Sequence, residues 1–241
     1  MYKIGVDVGS TYTKYCVMNN DTIESLYTEK TPIRQIDYFK QKIFDIRKSY
    51  PESEIISCGY GKKNVTENKQ INELIALARG VFYMEKHDTT VLDIGGQDTK
   101  VINQKNGILK EFFVNDKCAA GSGQFLINTL SLLQKNFFDI DLTEVHNEPI
   151  KLSSTCATFA QSEIVELIAD NKTENEIIQA VIYQIIIKAK SLLSKVQVSQ
   201  LVLSGGVGQI KGINDFIQNT LNIKCSVVKN CNYCAAIGCT I

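Results

Sequence analysis

The sequence predicts an α/β protein built from two related halves. This rests on a repeated strand–turn–strand motif, helical periodicity after the motif, and a third glycine-rich turn. Residues 6–14 read VDVGSTYTK and residues 92–100 read LDIGGQDTK. Four residue types recur at matching positions: Asp7 and Asp93, Gly9 and Gly95, Thr13 and Thr99, Lys14 and Lys100. Two such halves side by side would enclose a cleft; the alternative is a chance resemblance between two glycine-rich turns.

The first half, residues 1–88, opens with the apolar run KIGV, which predicts a strand. A second strand continues into a hairpin turn at Asn19-Asn20-Asp21. Apolar residues then recur at intervals of three and four, which predicts a helix. These residues are Ile36, Phe39, Ile43 and Ile46.

The second half, residues 89–241, repeats this order. The run TTVL predicts a strand, and Asn106-Gly107 is a strong hairpin signal. Glutamines and lysines interrupt the apolar segment 177–196, which predicts a buried or half-buried helix and no membrane span. The segment LVLSGGVGQIKG (201–212) predicts a strand that leads through a glycine-rich turn into a helix. A closing helix, about residues 232–241, is expected to pack back on the first half.

Composition argues against several classes of protein. The 26 basic and 26 acidic residues balance without a long charged block, which argues against a surface for nucleic acid or acidic membranes. The first residues lack the apolar core of a signal peptide, so we expect a cytoplasmic protein. In that compartment the eight cysteines are core residues or metal and redox groups. Cys16, Cys58 and Cys225 lie in strand patterns and are expected in the core.

The repeated turn suits magnesium and phosphate. A carboxylate at a strand end supplies an oxygen ligand, and glycines allow close approach to backbone amides. Asp7 and Asp93 are therefore the predicted Mg²⁺-side carboxylates; the alternative is that they cap strand ends. At the third turn, Gly205 and Gly206 would let a nucleobase and ribose lie against the backbone. None of the three turns has the Walker A pattern.

Two further cysteines stand directly before helical patterns. Cys118 lies in NDKCAAGSGQFL and Cys156 in SSTCATFAQSEIVELIA, where Ser153, Ser154 and Thr155 are available as caps. The dipole at a helix start lowers the pKa of a thiol and favours an anionic ligand. The alternatives are a phosphate loop at Cys118 and a buried helix residue at Cys156.

Together these segments resemble the actin, Hsp70 and sugar-kinase superfamily of ATPases. Within it, the chain is similar to the activators of 2-hydroxyacyl-CoA dehydratases, a group that includes the ATPase subunits of benzoyl-CoA reductase. The resemblance covers nearly the whole chain through GVDVGSTYTK, GYGKKNV, LDIGGQDTKV, both cysteine segments and LSGGVGQIKGI. It implies two actin-like ATPase (ribonuclease H-like) halves that flank a nucleotide cleft.

The resemblance also implies cofactors and partners. ATP or ADP would bind with Mg²⁺, and Cys118 and Cys156 would bind one [4Fe–4S] cluster per homodimer. Two thiolates from each chain are too few for a cluster with four thiolate ligands, and a two-fold dimer supplies the rest. A reduced ferredoxin or flavodoxin would load the cluster with one electron. ATP would then reorient the helices that hold the cluster, and the electron would pass to a partner dehydratase.

Position suggests a role for each turn residue. Gln97 would orient the attacking water, a role that suits phosphoryl transfer. The first two turns would cradle the phosphates through Gly9, Ser10, Thr11, Gly95 and Gly96. Gly205 and Gly206 would face the adenosine, and Asp98 could equally be a turn former.

Departures from the activator pattern leave the partner open. Ala76 and Leu77 stand where activators commonly carry a Cys-His pair, and Lys229-Asn230 and Cys231-Asn232 stand where Pro and Gln are common. A divergent activator would serve another reductase, such as a protein with a double-cubane cluster. Cys231 and Cys234 form a lone C-x-x-C, which is a weak signal for zinc.

Two other function classes remain for this fold. A small-molecule kinase needs a carboxylate beside the acceptor hydroxyl, whereas Cys118 and small residues occupy the corresponding linker. An actin-like structural or regulatory protein would need neither Cys118 nor Cys156.

Overall fold

The computed structural model describes residues 1–65, 69–115, 119–143, 148–153 and 156–241. The predicted cluster ligand Cys118 and the predicted caps Ser154 and Thr155 lie outside the described residues.

The first sheet has five strands in the order β3-β2-β1-β4-β5. They are β1 (Tyr2–Val8), β2 (Tyr12–Asn19), β3 (Thr22–Lys30), β4 (Glu54–Cys58) and β5 (Lys69–Gln70). Neighbours among β1, β2 and β3 pair antiparallel, whereas β4 is parallel to both β1 and β5. Asn20 and Asp21 both have positive φ, as a two-residue hairpin between right-twisted strands requires. The predicted first hairpin is confirmed.

Among the described residues, three α-helices accompany the first sheet. They are α1 (Gln35–Ser49), α2 (Glu73–Glu85) and, near the end of the chain, α7 (Cys234–Cys239). The predicted helix after the first hairpin is confirmed, and it buries Phe39, Ile43 and Ile46. Ile36 was expected on the same face but is 54% exposed, because it lies in the first turn of α1, ahead of the buried stripe.

The second sheet has five strands in the order β10-β9-β6-β7-β8. They are β6 (Thr89–Ile94), β7 (Thr99–Lys105), β8 (Ile108–Val114), β9 (Leu201–Ser204) and β10 (Cys225–Val227). Strand β9 pairs parallel with both β6 and β10. Asn106 and Gly107 join β7 to β8, and both have positive φ. The predicted Asn-Gly hairpin is therefore confirmed.

In the described part of the second sheet's chain segment there are four α-helices. They are α3 (Gly123–Leu133), α4 (Ala157–Ala169), α5 (Glu174–Leu193) and α6 (Ile213–Leu221). Thr173 and Glu176 form a capping box at the start of α5, and most of the apolar residues of that helix are buried. The predicted buried helix is confirmed. Across the described ranges, no helix is both long enough and apolar enough to span a membrane.

The chain divides into two compact units. The first comprises Met1–Asp88, Ile102–Lys110 and Asn232–Ile241, and the second comprises Thr89–Val101 and Glu111–Cys231. Within the first unit, α7 packs against α2 and β1. Within the second, α5 is central to a large apolar core that also includes residues of α3, α6 and β9.

Candidate functional site

The first glycine turn lies between β1 and β2. Asp7 is almost fully buried near the end of β1 and lies opposite Lys14 in the antiparallel ladder. Lys14 Nζ is 3.3 Å from Asp7 Oδ2. The hydroxyl of Thr31 donates to the carbonyl of Gly9 at 2.8 Å, which holds the turn against the end of β3. Ser10 is exposed in the turn.

The second glycine turn, between β6 and β7, holds a buried cation between two carboxylates. Lys100 Nζ is 2.6 Å from Asp98 Oδ1 and 3.5 Å from Asp93 Oδ2. All three side chains are largely buried. The amide of Gly95 donates to the carbonyl of Asp98 at 2.9 Å, which closes the turn. Asp98 is thus a turn former, as one interpretation of the sequence had it, and is also an ion-pair partner.

Helix α3 begins directly on this second turn. The amides of Gly123 and Gln124 donate to the carbonyls of Gly95 and Gly96, both at 2.8 Å. The exposed side chain of Gln97 donates from Nε2 to Oε1 of Gln124 at 3.3 Å. The start of α3 therefore fixes the backbone from which Gln97 projects.

The third turn, after β9, lies beside the second because β9 pairs parallel with β6 and places Ser204 opposite Asp93. Gly205 has φ +88°, and a Cβ there would lie 2.3 Å from the carbonyl oxygen of Ile94. At Gly206 a Cβ would meet nothing within 4 Å, so the space beside its Cα is open. The two turns meet at the carboxyl ends of neighbouring parallel strands, the usual ligand edge of such sheets.

Cys156 occupies the N-cap of α4 and is exposed. Its position at the start of α4, near the backbone amides of Thr158 and Phe159, holds the pKa of its thiol below the ordinary value. The predicted position of Cys156 at a helix start is confirmed, and the alternative of a buried helix residue is wrong. The predicted cap Ser153 instead donates to Glu163, from its amide at 2.7 Å and its hydroxyl at 3.1 Å.

The C-terminal C-x-x-C has a packing role in the described structure. Cys231 and Cys234 are both buried. The carbonyl of Cys231 accepts from the amide of Gly205 and the hydroxyl of Ser204, both at 3.0 Å. The backbone of Cys231 therefore stabilises the third turn through these two hydrogen bonds. Among the residues that the structure describes, no group of three or more His, Cys, Asp or Glu could hold a metal ion.

Three side chains beside the turns received no functional role from the sequence: Lys14, Lys100 and Cys58. The repeat carried a signal for the two lysines, since Lys14 and Lys100 recur at matching positions. Cys58 is buried, as predicted for a core residue. Its contact with Asp7, Sγ to Oδ1 at 3.7 Å, joins two strands that are far apart in sequence, so no local pattern could have revealed it.

Comparisons with known proteins find relatives that match nearly the whole chain. A Methanocaldococcus jannaschii protein described as uncharacterized is 34% identical over 98% of each chain. The 2-hydroxyisocaproyl-CoA dehydratase activator of Clostridioides difficile is 30% identical over all of this chain and 94% of its own. The solved structure of that activator with bound ADPNP superposes with a TM-score of 0.90 at 28% identity, covering 100% of this chain and 93% of its own.

A more distant structure, MreB5 of Spiroplasma citri bound to ADP, matches with a TM-score of 0.61 at 13% identity over 98% of this chain and 94% of its own. That likeness concerns the fold alone. With the activator structure it confirms the predicted fold class: two mixed five-stranded sheets with helices in an actin-like ATPase fold. The sequence profile of one family matches residues 4–238, and the chain belongs to that family, the BadF/BadG/BcrA/BcrD ATPases.

Proposed function

We propose that this protein is an ATP-dependent reductive activator. It hydrolyses ATP to drive the transfer of single electrons from a [4Fe–4S] cluster, shared by two copies of the chain, to a partner enzyme of the 2-hydroxyacyl-CoA dehydratase type. Family membership and relatives named as dehydratase activators support this function.

The observation that carries the proposal is the exposed thiol of Cys156 at the start of α4. An ATPase that only bound or phosphorylated a small molecule would have no use for a low-pKa thiol at the surface of a helix start. A thiolate there is stabilised by backbone amides and the helix dipole, which suits it to bind a cluster.

The donor set fits a cluster that two chains share. Cys156 is one thiolate ligand of each chain, and Cys118, ahead of α3, is proposed as the second. When bound, the cluster supplies a one-electron carrier whose potential depends on burial and on hydrogen bonds to sulfur. Two thiolates from one chain are too few for a cluster with four thiolate ligands, so in this proposal a second copy of the chain supplies the other two.

The three turns are proposed to bind Mg²⁺–ATP. Asp7 and Asp93 act on the Mg²⁺ side, and Gln97 orients the attacking water. The phosphates are contacted by Gly9, Ser10, Thr11, Gly95 and Gly96. Gly205 and Gly206 face the adenosine, where the open space beside Gly206 leaves room for a ligand.

Anaerobic electron transfer tests this function. The purified protein is reduced, mixed with the enzyme that it captures in an anaerobic pull-down, and followed through the visible absorption of its cluster. We expect the cluster to be oxidised when ATP is added, but not with ADPNP or without nucleotide. The Cys156→Ala variant is the matched control and should carry no cluster. A colourless wild-type protein that phosphorylates a sugar would instead make it a kinase.

A further inference from the structure

Cys58 lies in the first sheet, next to Asp7, the proposed Mg²⁺-side carboxylate. It is the last residue of β4, and the parallel ladder places it opposite Asp7 of β1. Its thiol is fully buried, with Sγ 3.7 Å from Asp7 Oδ1 and 3.9 Å from the carbonyl oxygen of Ala235 in α7. The buried thiol therefore has one proton and two oxygen acceptors within reach, of which the carboxylate is the nearer.

Contacts on both oxygens restrain the carboxylate of Asp7. Lys14 Nζ contacts Oδ2 at 3.3 Å, and Cys58 contacts Oδ1. The next residue, Gly59, has φ +85°, and a Cβ there would lie 2.7 Å from Asp7 Oδ1. A larger residue at position 59 would also lie 2.6 Å from the carbonyl oxygen of Val8, so it would force a shift in β1 or in the carboxylate.

In the contact between the two side chains, Cys58 Sγ is the donor and Asp7 Oδ1 is the acceptor. A thiol is a weak donor, but an ionised acceptor strengthens the bond.

We propose that Cys58 is a positioning residue for Asp7: its S–H holds Oδ1 and thereby fixes the orientation in which the carboxylate serves Mg²⁺. The inference rests on the proposed function, which gives Asp7 its role beside the metal. Cys58 itself contacts neither metal nor nucleotide in this proposal.

The test is the Mg²⁺ dependence of ATP hydrolysis by the full chain, measured as phosphate release at fixed ATP. Cys58→Ala removes the donor and leaves a small cavity, Cys58→Val fills the space without a donor, and Cys58→Ser keeps a donor. We expect the Ala and Val variants to need roughly fivefold more Mg²⁺ for half-maximal rate, and the Ser variant to stay within about twofold of wild type. Cys225→Ala, which removes a buried strand thiol far in sequence from Asp7, should leave the Mg²⁺ dependence unchanged.

Asp7→Asn separates this inference from the proposed function. If Asp7→Asn raises the Mg²⁺ requirement while both donor-free Cys58 variants behave as wild type, the positioning role is overturned and the proposed function stands. An equal increase in Cys58→Ser would assign the effect to packing and also overturn the role. If Asp7→Asn has no effect, the assignment of Asp7 fails and the positioning role fails with it. Absence of any Mg²⁺-dependent ATP hydrolysis by the wild type would reject the proposed function itself. Thermal unfolding of each variant separates loss of fold from loss of metal affinity.

Discussion

At the residue scale, position alone gives cysteines of this chain opposite chemistry. Cys156 is exposed at a helix start, where backbone amides lower the pKa of its thiol. Burial instead raises the pKa of Cys16 and of Cys225 to about 12. Because the thiolate is the nucleophile and the metal ligand, Cys156 is better suited to such chemistry than the buried strand cysteines.

The lowered pKa of Cys156 predicts that iodoacetamide alkylates this thiol at a lower pH than it alkylates an ordinary cysteine. In the iron-free chain, Cys156 should react at a pH below the midpoint that the same residue shows in the denatured chain. The thiolate forms as pH rises through the pKa, so a lowered pKa extends reactivity to lower pH. Peptide mapping by mass spectrometry measures the rate at each pH, and Cys225 should stay unmodified in the folded chain. A Cys156 midpoint equal to that of the denatured chain would contradict the prediction.

Gln97 provides the second prediction at this scale. Gln97→Ala should leave ATP binding within about twofold of wild type while slowing hydrolysis roughly a hundredfold, because positioning is the main lever in phosphoryl transfer. Nucleotide titration and phosphate release measure the two quantities. Gln41→Ala, which removes an exposed glutamine of α1, is the matched control and should change neither. Equal losses of binding and hydrolysis would make Gln97 a binding or structural residue.

Sequence could identify the acidic and glycine positions of the turns, because their chemistry and their repetition are local. It could not identify the buried ion pair of Lys100 with Asp98 and Asp93, since the lysine pattern alone is equally typical of an exposed strand residue. Only the return of β7 beside β6 brings Lys100 back to the carboxylates.

At the scale of secondary structure elements, the first unit depends on an unusually close approach of two helices. A Cβ at Gly80 of α2 would lie 1.8 Å from the carbonyl oxygen of Cys234, and one at Gly238 of α7 would lie 1.7 Å from that of Ala76. The backbones of α2 and α7 are therefore in direct contact. Because α7 has only six residues, its position depends on this packing more than on its own helix propensity.

Replacement of either glycine should therefore destabilise the fold. Gly80→Ala and Gly238→Ala are each expected to lower the free energy of unfolding by at least ~2 kcal/mol, because the added methyl group meets backbone that cannot rotate away. Urea denaturation measures the change. Gly206→Ala is the matched control and should stay within ~1 kcal/mol of wild type, since its methyl group would meet nothing within 4 Å. Wild-type stability in Gly80→Ala would mean that the helices separate readily.

Elements with strong local signals were predictable. Asn-Gly and Asn-Asp turns adopt positive φ at low energetic cost, so both hairpins could be predicted. The periodic spacing of apolar residues within α1 likewise predicted that helix. The contact of α2 with α7 was not predictable in this way. Gly80 and Gly238 lie within helices. A glycine in a helix shows that no side chain is present there, but the sequence does not reveal which neighbouring backbone packs against it.

At the scale of the whole molecule, motif order identified the fold class because three glycine turns in sequence constrain topology far more than any one of them. What motif order does not determine is how many chains complete one cluster. The accessibility of the thiols bears on that question. Cys156 is exposed, whereas Cys231 and Cys234 are buried against the third turn and α2. A cluster on the C-terminal pair would require Cys231 to leave its contact with the third turn and Cys234 to leave its contact with α2.

The iron content of the anaerobic protein decides between a shared and a private cluster. If two chains share one [4Fe–4S] cluster through Cys118 and Cys156, we expect ~2 irons per chain and a dimer in solution. Cys118→Ala and Cys156→Ala should each abolish the brown colour, because each removes two of the four ligands from the dimer. Cys231→Ala and Cys234→Ala are the matched controls and should keep it, since both side chains are buried in the protein. About 4 irons per chain, or loss of colour with the C-terminal pair, would show that one chain holds its own cluster, and ATP-driven movement of helices across a dimer would then have no role in electron transfer.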